Sequence, residues 1–230
     1  NRIRGRVLKS HGLGLLHYQS ASPLGLPVLH RALASYLQDS RGVRCAPEQI
    51  AITTGSQQAL FLLSLLLLKN TNPAYMEDPG YLGARGAFKT AQARIVPVPL
   101  DSEGMMPISR VEQNSLIYTT PSRQFPTGAC MPLARRIALI KTANAARAWI
   151  VEDDYDSEFR YTRPPMPSLH SLDSSRRVIY LGTMSKVLFP SLRIGYVVLP
   201  ESLLAPFAAA KWLADRHTPT IEQETLAAFI

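Results

Sequence analysis

Val178-Ile179-Tyr180-Leu181-Gly182-Thr183-Met184-Ser185-Lys186 is an apolar run that enters a turn of small residues and ends on a single lysine. Its length and composition are those of a buried strand. Ligands of open α/β sheets bind beyond the carboxyl ends of the strands, so Lys186 stands where a ligand would sit. A lysine there is costly to desolvate unless it has a partner or a covalent task, and its amine forms Schiff bases with aldehydes. Thr183, three residues earlier, can offer a hydroxyl to an anion. Taken alone, an ordinary surface lysine after a strand accounts for the same residues.

The pattern repeats outward from this stretch. Short apolar strands are predicted over 49–53, 74–77, 94–98, 116–119, 149–152 and 178–181. A further strand over 195–199 follows too short a loop for a crossover and is expected to pair antiparallel. Helices are predicted over 27–38, 57–68, 133–147 and 201–215, with another from 223 to the end. Alternation of this kind predicts an α/β fold, a mostly parallel sheet with helices on both faces. The 230 residues suffice for one large domain, and 46% hydrophobic against 18% charged residues excludes a disordered chain. The longest apolar run, 59–68, is interrupted by Ser64 and is too short to span a membrane, so no membrane partner is expected. Two cysteines, Cys45 and Cys130, suit a reducing, cytoplasmic compartment. The five histidines have no metal-ligand spacing, and no metal is expected. A net charge of +8 favours anionic partners, although no dense basic block is present. The chain opens without an initiator Met and stops inside an apolar helical phase, so the natural protein is expected to continue.

Three other stretches bear on chemistry. The strand around Trp149 delivers Glu152-Asp153-Asp154-Tyr155-Asp156-Ser157-Glu158-Phe159-Arg160-Tyr161 at its carboxyl end. A carboxylate held there can pair with a protonated ring nitrogen; an acidic surface turn or a divalent-metal site is the alternative. Thr53-Thr54-Gly55-Ser56-Gln57-Gln58 is a strand–glycine–helix junction whose amides can attract a phosphate or simply cap a helix. No Lys follows the glycine, so it is not a Walker loop, and a nucleotide-binding domain would need further glycines. Arg193 lies between apolar residues just before a strand. It reads as a buried arginine that needs an anion, either a phosphate or a structural carboxylate. Nest, carboxylate, lysine and arginine are thus each expected at a strand's carboxyl end.

Together these residues resemble fold-type I enzymes that use pyridoxal 5'-phosphate (PLP), and more narrowly the aminotransferase-like domain of MocR-type (GntR family) transcriptional regulators. The strings 152–161 and Thr120-Pro121-Ser122-Arg123-Gln124-Phe125-Pro126-Thr127-Gly128 carry that resemblance, which runs from about Gly25 to Ile230. It implies a PLP-dependent transferase fold type I large domain over 1–230, with the winged helix-turn-helix that precedes it and the small C-terminal subdomain missing or truncated. DNA would be bound only through that missing N-terminal domain.

By the same resemblance Lys186 forms the Schiff base with PLP, and Asp153 pairs with the pyridine nitrogen, with Asp154 as its rival. Tyr155 sits near the ring hydroxyl and Tyr81 stacks on the ring. Gly55, Ser56 and Gln57, with Thr183, Ser185 and Arg193, hold the phosphate. Many aminotransferases place an Asn where Phe125 stands, so Gln124 or nothing replaces that contact. Tyr18 is a candidate for the phosphate of a second subunit in a homodimer. The implied function is sensing of a small amino compound; an aminotransferase acting on amino acids is the alternative.

Overall fold

The computed structural model describes residues 2–11, 22–68, 72–156, 166–184 and 192–230. Eight strands form one sheet: β1 (Ile50–Thr53), β2 (Pro73–Asp78), β3 (Arg94–Asp101), β4 (Gly104–Met105), β5 (Leu116–Thr119), β6 (Trp149–Asp154), β7 (Val178–Thr183) and β8 (Gly195–Val198). Their order is β1-β8-β7-β6-β5-β2-β3-β4. The five central strands β3, β2, β5, β6 and β7 run parallel. β8 is antiparallel to both β7 and β1, as expected from its short approach, and β4 turns back on β3.

Among the described residues eight α-helices accompany the sheet: α1 (Arg2–His11), α2 (Pro27–Arg41), α3 (Ser56–Leu67), α4 (Leu82–Thr90), α5 (Leu133–Ala145), α6 (Leu169–Leu172), α7 (Glu201–Asp215) and α8 (Thr220–Ala227). Alternate residues of each strand face opposite layers. Val151, Ile179, Leu181 and Val197 pack with α3, α4 and α7. Ile117, Ile150 and Val178 pack with α5 and α6, while Ile50, Ile52, Tyr180 and Val198 pack with α2 and α8. Burial on both faces explains why β1, β5 and β7 read as continuous apolar runs.

The predicted strands all form, and four of the seven, β2, β3, β6 and β7, run one to three residues further at the carboxyl end. β6 runs to Asp154 and β7 to Thr183, so the polar residues assigned to following turns belong to the sheet. Three helices had no sequence prediction. α1 is polar, α6 is one turn long, and α4 carries Gly83 and Gly86, which mask its periodicity.

One buried ion pair ties α5 to the sheet. Arg136 and Glu152 are fully buried, with Nη1 of the arginine 3.6 Å from Oε1 of the glutamate. Arg136 also donates to the carbonyls of Met131, Pro121 and Pro167, and Glu152 accepts from the amides of Leu169 and His170. Removing one partner strands the other. Arg136→Met is expected to cost about 3–5 kcal/mol in urea unfolding, and a loss below about 1 kcal/mol would contradict this role for the pair.

Candidate functional site

The carboxyl ends of β1, β5, β6 and β7 open on a cleft of about 280 Å³ lined by Gly55, Ser56, Tyr81, Tyr118, Thr120, Phe125, Asp153, Tyr155, Thr183 and Arg193. Seven of these ten residues were sequence candidates: Gly55, Ser56, Tyr81, Asp153, Tyr155, Thr183 and Arg193. Lys186 and Ser185 lie outside the described residues, as do Tyr18 and the second half of the acidic string. β7 ends at Thr183, three residues before Lys186, with Thr183 in the cleft wall.

Three consecutive acids end β6, and the strand's alternation separates them. Asp153 faces the cleft, where Tyr118 Oη donates to its Oδ2 at 2.7 Å. Asp154 turns to the opposite face, accepting from Tyr180 Oη at 2.6 Å with Arg41 Nε at 3.4 Å. Glu152 shares that far face and belongs to the Arg136 pair. Of the two rival aspartates, only Asp153 lines the cleft. Burial pushes its carboxyl up to about 7, opposed by the Tyr118 hydrogen bond and reinforced by the nearby Asp154 and Glu77 charges. A cation beside such a group would favour its ionised form and draw the value back down.

The other end of the cleft gathers groups that can take an anion. Gly55 has φ +100°, a conformation side chains rarely adopt, and it leads directly into the first turn of α3. The amides of Ser56 and Gln57 are therefore at a helix start, where no intrahelical acceptor exists. Arg193 Nη2 donates to the Thr54 carbonyl at 3.2 Å, and a Cβ on Gly55 would lie 3.0 Å from that nitrogen.

Gly195 opens β8 beneath this turn, where a Cβ would stand 2.8 Å from the Gly55 carbonyl carbon. One expectation for Arg193 is corrected: it is exposed at the cleft mouth rather than buried. It does lie just before a strand, and the antiparallel run of β8 is what brings it to the carboxyl edge of β1 and β7. The Gln57 side chain does not line the cleft. It donates to the Gly83 carbonyl at 2.9 Å and accepts from Tyr81 Oη at 3.4 Å.

Phe125 forms the third wall. Its ring meets Tyr81 edge-on at 6.0 Å and Tyr155 edge-on at 6.1 Å. Gln124 makes no approach to the cleft. It is buried, donating to Glu77 Oε2 and the Pro79 carbonyl at 3.1 Å each, and accepting from Thr127. Of the two options for the missing Asn contact, Gln124 is therefore not the replacement. Burial and the Asp156 charge push the Tyr155 hydroxyl up to about 12, so it stays a donor at neutral pH. Tyr118, Thr120 and Phe125 were not chosen as site residues. The β5–β6 register, which the linear sequence does not give, is what brings Tyr118 to Asp153: it lies level with Val151, two residues before Asp153.

The family model described as aminotransferase class I and II matches residues 17–230. The chain belongs to the aminotransferase class I and II family. It is 42% identical over 207 residues to the probable rhizopine catabolism regulatory protein MocR of Rhizobium meliloti, covering 90% of this chain and 42% of that protein. It is 45% identical over 215 residues to the HTH-type transcriptional regulator YdeL of Bacillus subtilis, covering 93% and 46%. Among solved structures, the α-aminoadipate aminotransferase LysN of Thermus thermophilus, complexed with N-(5'-phosphopyridoxyl)-L-leucine, superposes with a TM-score of 0.89 at 34% identity, covering 99% of this chain and 59% of that one.

The fold is thus that of fold-type I aminotransferases, a PLP-dependent family, and the domain is homologous to that of MocR-type regulators. This aminotransferase-like chain spans about half the length of the curated relatives it matches. Among its described residues no helix is long and apolar enough to cross a membrane.

The raised Asp153 carboxyl has a consequence in the cofactor-free protein. Its ordinary value is 3.8 and its folded value about 7, so between these pH values the unfolded chain has released a proton that the folded chain retains. Folding stability from this group therefore falls as pH rises through that window. Asp153→Asn removes the contribution and leaves Glu77 and Glu152 in place. Urea unfolding at pH 5 and pH 8 is expected to favour the variant over the parent by about 2–3 kcal/mol more at the higher pH. A difference independent of pH would show that Asp153 titrates normally.

Proposed function

We propose that this chain is the cofactor-carrying, ligand-sensing domain of a MocR-type regulator, in which Lys186 holds PLP covalently and yields that bond to the amine of a small amino compound. The observation that carries the reading is the polarity of the cleft: a buried carboxylate in one wall and a helix start with an arginine in another. The residues fit a ligand with a basic ring nitrogen and a phosphate. When bound, PLP supplies an aldehyde for amines and an electron-accepting ring.

Asp153, fixed by Tyr118, would hold a proton at the ring nitrogen, and the charge pair would draw its carboxyl back down from its raised value. Tyr155 would donate to the ring hydroxyl, and Tyr81 would cover the ring face. The amides of Ser56 and Gln57, with Thr183, Ser185 and Arg193, would bind the phosphate. Phe125, standing between the two tyrosines, would keep water from that side. A sensor must bind its ligand differently in two states of the full regulator, a homodimer on this reading, with DNA contacted by an upstream winged helix-turn-helix.

The likeness to LysN supports a second reading, a PLP-dependent aminotransferase. There the Lys186 amine, once displaced, would move a proton from the substrate carbon.

Borohydride reduction of the PLP-loaded chain, followed by peptide mass mapping, is expected to label the Lys186 peptide. Lys186→Ala should abolish both the label and the visible absorbance of the bound cofactor. An unlabelled Lys186 peptide from saturated protein would falsify the assignment. With amino acids and a keto acid added, a spectral change without keto product supports the sensor, and sustained product supports the enzyme.

A further inference from the structure

Behind the anion end of the cleft lies a polar cluster that touches neither the cleft nor solvent freely. Lys211 of α7 is fully buried, and its Nζ donates to both carboxylate oxygens of Asp215, one turn along, at 2.8 and 2.9 Å. A buried ammonium needs its donors occupied. Here the remaining partner is Gln58 Oε1 on α3, at 3.2 Å. Gln58 closes the cluster by donating from Nε2 to Asp215 Oδ2 at 2.8 Å.

The same Gln58 oxygen accepts the backbone amide of Thr54 at 3.0 Å, while the Thr54 carbonyl accepts from Arg193 at 3.2 Å. Both peptide groups flanking Thr54 are thereby held, one from behind by Gln58 and one from the cleft side by Arg193. The next residue is Gly55, whose left-handed backbone aims the start of α3. A rotation of the Thr54 peptide would turn the Ser56 amide and displace the acceptor of Arg193 together.

We infer that Gln58, anchored by the Lys211–Asp215 pair, is a positioning residue that sets the affinity of the Gly55–Ser56 turn for the phosphate of the cofactor. This rests on the assignment of that turn to phosphate under the proposed function. The cluster's hydrogen bonds among the described residues lead to the Thr54 amide and not to Asp153 or the aromatic wall, so it is expected to tune one end of the ligand.

The test compares PLP with pyridoxal, which lacks the phosphate, in equilibrium dialysis against the chain. The parent is expected to prefer PLP, and Gln58→Leu to weaken PLP by about tenfold, the worth of one good hydrogen bond, while pyridoxal affinity stays unchanged. General structural damage would weaken both ligands alike, and that outcome, or PLP affinity unchanged by the variant, overturns the inference. Gln58→Leu leaves Lys211 with Asp215 alone and can destabilise the chain, so Gln58→Leu/Lys211→Met carries the same expectation without the buried ammonium, the Asp215 carboxylate left behind being partly open to water. In the cofactor-free parent, the Thr54 amide is expected to be protected from hydrogen exchange; exchange at the rate of an open loop overturns the inference as well. A parent that binds PLP and pyridoxal equally overturns the phosphate assignment itself and this inference with it, whereas a selective parent with an equally selective variant overturns the inference alone.

Discussion

Three acidic residues in succession at the end of a strand buried on both faces must each find a separate way to exist out of water. Glu152 does so with Arg136 and two amides, Asp154 with Tyr180 and Arg41, and Asp153 with a single tyrosine hydroxyl. Among the described residues, the first two have cationic company, and the third has a neutral donor and repulsion from its neighbours. The asymmetry follows from strand alternation, which sends the even-numbered acids to a face supplied with arginines and the odd-numbered one to the cleft. Asp153 is consequently the acid whose charge is left to be compensated by whatever enters the cleft.

The anion end depends on a different constraint, the antiparallel insertion of β8 between β1 and β7. A parallel strand there would deliver its preceding loop to the far edge of the sheet, and Arg193 with it. Because β8 runs backwards, the residue that precedes it arrives beside the residue that follows β1. Gly195 makes the approach close enough for the Arg193 guanidinium to reach the Thr54 carbonyl. Cation-seeking and anion-seeking groups are therefore set apart in one cleft by topology, before any side-chain rotamer is chosen.

Much of this was legible in the chain itself. Both-face burial writes central strands as unbroken apolar runs, so 116–119 and 178–181 stand out, and the short loop before 195 betrays an antiparallel partner. The choice between Asp153 and Asp154 was open because it depends on where β6 ends. Extending that strand through Asp154, as its ladder with β7 does, applies strict alternation to all three acids. Arg193 was misread as buried because flanking apolar residues describe the backbone environment of a strand start and say little of a long side chain that extends from it. Tyr118 and Gln58 could not be singled out from a linear pattern. Tyr118 looks like one more aromatic in an apolar strand, and Gln58 like a helix residue; both matter through partners 35 and 153 positions away.

The cleft is held from behind on two sides by polar clusters that need not touch a ligand. Glu77 accepts from Thr119, from both the amide and hydroxyl of Thr120, and from Gln124, fixing the segment that presents Phe125. Gln58 does the corresponding work for the turn at Gly55. Pre-organisation of this kind serves a sensor and an enzyme equally, since both must bind an amine at the same atom in the same orientation. On the proposed reading the two functions would part only after that exchange. An enzyme would use the interaction to move a proton, with the displaced Lys186 amine as its carrier. A sensor would use it for a difference in affinity between two arrangements of the whole regulator. The residues that decide between them would then be those governing where Lys186 goes once released, and not those that would hold the ring.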